Sequence, residues 1–137
     1  MVSWEIYEFL DSRKDGVITE WLRREKIPKR SRALLDQKLD QLRLHGPDLP
    51  PNLLSSGPID GGHILKLKVR ADVMLRPLLC RGPFRKDQEF TLLRGAIERN
   101  GVLPDSDVRA AEQNRIELIA QRTRRQLYES SSETPKE

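Results

Sequence analysis

The sequence predicts an α+β domain: an antiparallel-rich sheet of about four strands, with an N-terminal helical hairpin and a C-terminal helix. Three observations lead there. Between Gly62 and Pro104 lie three consecutive apolar runs, HILKLKVR, VMLRPLLCRG and EFTLLRGAIER, each of strand length and bounded by turn residues. Before them, two segments repeat apolar residues at helical spacing; after them, a third does so. At 137 residues the chain suits one domain, read as residues 1–128, with 129–137 as a disordered, Ser-rich tail.

The elements follow in order. SWEIYEFL alternates as a first strand, with Trp4 and Ile6 facing away from Tyr7 and Phe9. Asp11 to Gly16 is a polar turn. VITEWLRREK is a short helix that buries Val17, Ile18, Trp21 and Leu22, and Pro28 separates it from a second. The second helix spans Lys29 to Leu44, with Leu34, Leu35, Leu39 and Leu42 and the Lys38 stem on one stripe. Arg30, Arg32, Asp36 and Asp40 form its charged face, and His45-Gly46-Pro47 ends it. The segment from Gly46 to Gly62 is rich in proline and glycine and reads as an extended connection, closed by the turn Asp60-Gly61-Gly62-His63. Gly82-Pro83 is a hairpin turn. Asp105 is placed as an N-cap for a helix from about Ser106 to Tyr128, with Val108, Ala111, Arg115, Ile116 and Ile119 turned inward and RTRRQ projecting as a basic end.

Charge is concentrated where the strands are. The chain is 34% charged and 36% hydrophobic, with a net charge of +4. The stretch Gly62–Pro104 alone has nine Lys or Arg against four Asp or Glu. Strands with cations set among apolar residues suit phosphates, so RNA is the first partner class to consider. The single Cys80 forms no internal disulfide and reads as a buried thiol in a reducing compartment. No run approaches the length of a membrane span and Met1–Leu10 does not read as a leader, so a cytoplasmic location without membrane contact is expected. Asp11, Asp15 and Glu20 lack the ligand spacing of a calcium loop, and no Gly-rich phosphate loop is present.

The order strand, helix, helix, three strands, helix resembles the RelE/HigB-type toxins of type II toxin–antitoxin systems, in particular their phage-derived branch. The likeness runs from about Ile6 to Ile119. EFLDSRKDGVITEWL is similar to the opening strand, turn and helix of that family, and ALLDQKLDQLRLHGPDLPPNLLSSGPIDGG to its second helix and the turn before the sheet. LKLKVR, Arg76, LLRGAIERNGVLP and AAEQNR fall where the family has its Leu-Arg strand, its strand arginine, its apolar pair with Gly and Pro, and its C-terminal helix.

The resemblance implies a RelE-like fold and cleavage of ribosome-bound mRNA by attack of the ribose 2′-OH, without metal or other cofactor. It also implies inhibition of translation and a cognate antitoxin, often a helix-turn-helix protein. Such chemistry needs a base, cations for the phosphorane and an acid for the departing 5′-oxygen. Lys66, Lys68 and Arg76 are the catalytic candidates, and Arg70, Arg81, Arg94 and Arg99 the RNA-binding ones. Arginine stays charged and can clamp phosphate, whereas lysine can act as a base when crowded by cations. Lys66 and Lys68, two apart on one strand, would share a face.

Where many relatives have paired lysines, this chain has Glu98-Arg99. It also lacks an aromatic near Leu79-Cys80, has Ala96 beside the glycine, and places no Tyr or His as an acid. These departures keep a second reading open: a non-catalytic phage or mobile-element protein that holds a host protein or nucleic acid on the same basic sheet. A DNA-binding structural protein is a third, but no helix has the setting of a recognition helix.

Overall fold

Each of the three apolar runs breaks once, and the three breaks lie side by side. The computed structural model describes residues 3–56 and 63–129. Its helices are α1 Val17–Arg24, α2 Lys29–His45 and α3 Asp105–Ala120. The strands are β1 Glu5–Phe9, β2 Leu54–Ser56, β3 Leu65–Leu67, β4 Val69–Arg70, β5 Met74–Leu75, β6 Leu78–Arg81, β7 Glu89–Arg94, β8 Ile97–Glu98 and β9 Arg125–Leu127. Lys68 parts β3 from β4, Arg76-Pro77 parts β5 from β6, and Gly95-Ala96 parts β7 from β8.

Proline offers no N–H to a ladder, so the second run cannot continue as one strand through Pro77. The chain instead changes sheets there, and two hydrogen bonds tie the seam: Leu67 N–H to the Pro77 carbonyl (3.0 Å) and Arg76 N–H to the Ala96 carbonyl (2.8 Å). One side is a six-stranded sheet in the order β2-β3-β6-β7-β1-β9; the other is a three-stranded sheet, β4-β5-β8. The α+β class holds. The sheet system is larger than the four strands expected, and β1 runs parallel to β7 while the other strand pairs are antiparallel.

Period-2 alternation divides the large sheet between two cores. Ile6, Leu67, Leu79, Phe90 and Leu92 join Ile18, Trp21, Leu35, Leu39 and Leu42 of α1 and α2. On the opposite face Phe9, Ile64, Leu78, Cys80 and Leu93 meet Val108, Ala111 and Leu118 of α3. Burying an aliphatic or Phe side chain contributes roughly 1.5–3 kcal/mol, so these two layers supply most of the cohesion. Val69, Leu75 and Ile97 of the small sheet also pack into the first core.

A distant carboxylate starts α1. Gly16 caps it without a side chain, and buried Glu8 of β1 accepts from Ile18 N–H (3.0 Å), Thr19 N–H (3.1 Å) and Thr19 Oγ1 (2.9 Å). The α1 and α2 segments match the expected helices closely. Gly46 ends α2 at φ +56, and a Cβ there would lie 2.4 Å from Trp4 Nε1, so glycine is required twice over.

Five expectations are corrected. The α3 helix stops at Ala120 rather than Tyr128, because Gln121 turns to φ −145 and the supposed basic end becomes β9, paired antiparallel with β1. Asp105 opens α3 with Pro104 as its cap, and Ile116 and Ile119 are exposed rather than inward. Asp36, assigned to the charged face of α2, is buried. The connection after α2 contains the short strand β2, paired with β3. Residues 60–62 of the glycine turn and 130–137 of the tail lie outside the described residues.

Candidate functional site

The seam between the two sheets brings three of the singled-out positions together. Lys66 comes from β3, Arg76 from the break after β5, and Glu98 from the end of β8. Arg76 Nε donates to Glu98 Oε1 at 2.7 Å and its Nη1 to the Leu75 carbonyl at 3.0 Å. Lys66 Nζ lies 3.9 Å from the same Glu98 oxygen. Arg76 is 8% exposed, and Lys66 and Glu98 are only partly exposed, so this is a largely interior constellation. The register explains the convergence: Met74 pairs with Glu98 and Leu75 with Ile97, which sets the residue after β5 beside the carboxylate.

The carboxylate changes what each residue can do. Lys66 and Lys68 were expected to share a strand face, but β3 ends at Leu67 and Lys68 falls in the break. Lys66 is paired with a carboxylate, so the crowding by cations that would let a lysine serve as a base is replaced by ion pairing. Glu98, read from the sequence as a departure, is the carboxylate at the centre, accepting a hydrogen bond from Arg76. Its sequence signal was its own position, one residue before Arg99 in the third run; the pairing to Arg76, 22 residues earlier, had no local signature.

The other expected RNA contacts lie elsewhere. Arg70 is exposed on β4 opposite Met74. Arg94 donates to Asp107 Oδ1 of α3 at 2.8 Å. Arg99 is exposed at a turn whose Asn100 and Gly101 both have positive φ. Arg94 and Arg99 border a groove between α1 and α3, together with Arg24 and Arg124, but Asp11, Glu20, Glu25, Asp107 and Glu117 border it as well. Carboxylates outnumber guanidinium groups along it, so it does not form a phosphate track.

Arg81 sits at a different place, over the Trp4 ring at 5.3 Å and paired with Asp87 at 3.1 Å. It opens on a cavity of about 420 Å³ whose lining also includes His63, Lys86 and Arg115.

Sequence reasoning missed a fully buried carboxylate. Glu89 of β7 is fully buried and accepts from the Phe84 and Arg85 N–H groups (3.0 and 3.1 Å) and from Arg125 (2.8 and 3.3 Å). Burial alone would raise its carboxyl, but Arg125 and the two backbone donors outweigh that and hold it below the ordinary range. Arg125 also lies 3.7 Å over the Tyr7 ring. This group fastens β9 to the sheet. Cys80 is buried as expected, and burial pushes its thiol up to about 12.

No family model, curated protein or solved structure matches this chain. No helix among the described residues is long and apolar enough to cross a membrane.

Proposed function

We propose that this chain is a toxin-like endoribonuclease of the RelE/HigB type that cuts ribosome-bound mRNA and is held in check by an antitoxin. The observation that supports the reading best is the convergence of Lys66 and Arg76, from separate segments of the chain, onto one carboxylate oxygen of Glu98. In this scheme Glu98 takes the proton of the 2′-OH as the 2′-oxygen forms its bond to phosphorus. Arg76, always charged, holds the developing phosphorane charge through N–H groups not engaged by Glu98 and Leu75. The P–O5′ bond breaks, and the Lys66 ammonium gives its proton to the departing oxygen. The products are a 2′,3′-cyclic phosphate and a 5′-hydroxyl, and no metal takes part in any step.

Brief induction in a bacterial host, with cuts mapped by primer extension, tests this. Discrete cuts within translated frames should appear with the natural sequence. They should fall by a factor of about 10²–10⁴ with Glu98→Gln, the usual contribution of a general base, and vanish with Arg76→Ala. Absence of cuts from folded protein would remove the nuclease reading in that host.

The same result would favour the second reading, a non-catalytic protein that binds through its basic sheet. The observation behind that reading is the near-complete burial of Arg76 with its Nε and Nη1 already satisfied, the arrangement of an ion pair that simply joins two sheets.

A further inference from the structure

We propose that the cavity lined by His63, Arg81, Lys86 and Arg115 binds a small organic phosphate monoester, at a site separate from Glu98. The proposal goes beyond the nuclease reading and does not depend on it. These residues come from distant parts of the chain: His63 precedes β3, Arg81 ends β6, Lys86 lies in the β6–β7 connection and Arg115 is on α3. Extending the Leu65↔Leu79 register outward sets His63 directly across from Arg81.

The nearby carboxylates do not neutralise the site. No Asp or Glu is among its lining residues within the described part of the chain. Asp87, the partner of Arg81, is 94% exposed, so solvent screens that pair. Glu112 reaches Arg115 only at 3.7 Å. The volume of about 420 Å³ lies within the range of small-molecule sites, roughly 300–1,000 Å³, and far exceeds what a bare phosphate fills. Pro47, Leu54 and Leu65 give the remaining wall an apolar character, which calls for an organic body on the phosphate. Arg81, lying over Trp4, offers a guanidinium on which a flat ring such as a nucleobase can stack.

Calorimetric titration of the full chain with 5′-AMP, adenosine and inorganic phosphate tests the site. AMP should bind at least tenfold more tightly than either other probe. Arg81→Gln and Lys86→Gln, both at exposed positions, should each weaken AMP roughly tenfold to a hundredfold, the loss of one hydrogen bond to a charged group. Arg30→Gln, on the far helix, and Glu98→Gln should leave AMP binding unchanged. Adenosine binding as tightly as AMP, phosphate binding as tightly as AMP, no AMP binding, or equal AMP affinity in the Arg81 and Lys86 variants would each overturn the proposal. Given AMP binding, a short RNA with a 5′-phosphate identifies the source. Tighter binding than its 5′-hydroxyl form supports an RNA end as the ligand, and equal binding supports a free nucleotide.

Discussion

Gly95→Ala is the sharpest test of the packing that holds the seam. A Cβ built on Gly95 lies 1.9 Å from Trp21 Cδ2 and 2.3 Å from Cγ and Cε3, whereas ordinary contact begins near 3.4 Å. Relief requires about 1.5 Å of movement. The backbone of Gly95 is outside the left-handed region, so the cost is steric alone. Trp21 is 2% exposed and sits in the core beneath α1, so its ring cannot swing aside without moving the helix. Overpacking of this kind costs about 1–3 kcal/mol, and the rigidity of the ring places Gly95→Ala near the upper end. For a domain of this size that is a fall of roughly 6–15 °C in Tm. Urea unfolding followed by tryptophan fluorescence measures it, and Trp21→Leu completes a double-mutant cycle. The pair should cost at least about 1 kcal/mol less than the sum of the single changes, because the leucine vacates the space. Additivity, or a Gly95→Ala protein as stable as the original, would refute the packing argument.

Other outcomes follow from the buried charges and the thiol. Glu8→Ala removes the carboxylate that caps α1 and should cost about 2 kcal/mol by urea unfolding. Gly16→Ser should restore part of that loss in the Glu8→Ala protein but destabilise the original, where its Cβ would meet Glu8 Cδ at 2.2 Å. Glu89 titrates below its ordinary 4.5, so its stabilising contribution is complete above that pH and lost as pH falls through the folded value. A urea midpoint series between neutral pH and about pH 3 should therefore decline on the acid side, and Glu89→Gln should flatten that decline while lowering stability at neutral pH. Cys80, with its thiol pushed up to about 12 and its side chain buried, should react with a thiol reagent only in denaturant; prompt labelling of folded protein would contradict its placement.

Local periodicity was enough to read α1, α2, the buried Cys80 and the apolar runs of the sheet, because each rests on neighbours a few residues apart. The breaks were less legible. Pro77 was a visible signal, whereas Lys68, which has no chain-breaking tendency of its own, is also a break, between β3 and β4. The reach of α3 was overread because RTRRQ suits a helix by propensity. What draws it into a strand is distant: Arg124 donates to the Leu10 carbonyl and Arg125 to buried Glu89. The Lys66–Glu98–Arg76 site was half visible. Its cations stood out in the runs, while the carboxylate that organises them looked like a loss until the register placed it.

The arrangement of β9, β1 and β7 also sets an order of events. Strand β1 lies between partners from far along the chain: the Arg85–Glu5 contact spans 80 residues and the Arg124–Leu10 contact spans 114. Most of the lattice around Lys66, Arg76 and Glu98 is comparatively local, yet the layer beneath it closes only when residues near 125 are in place. Glu89 gains its full counter-charge at that same late step. Non-local pairing of this kind slows folding. During synthesis the first strand waits for the last, and the finished surface appears only after almost all of the described chain has emerged.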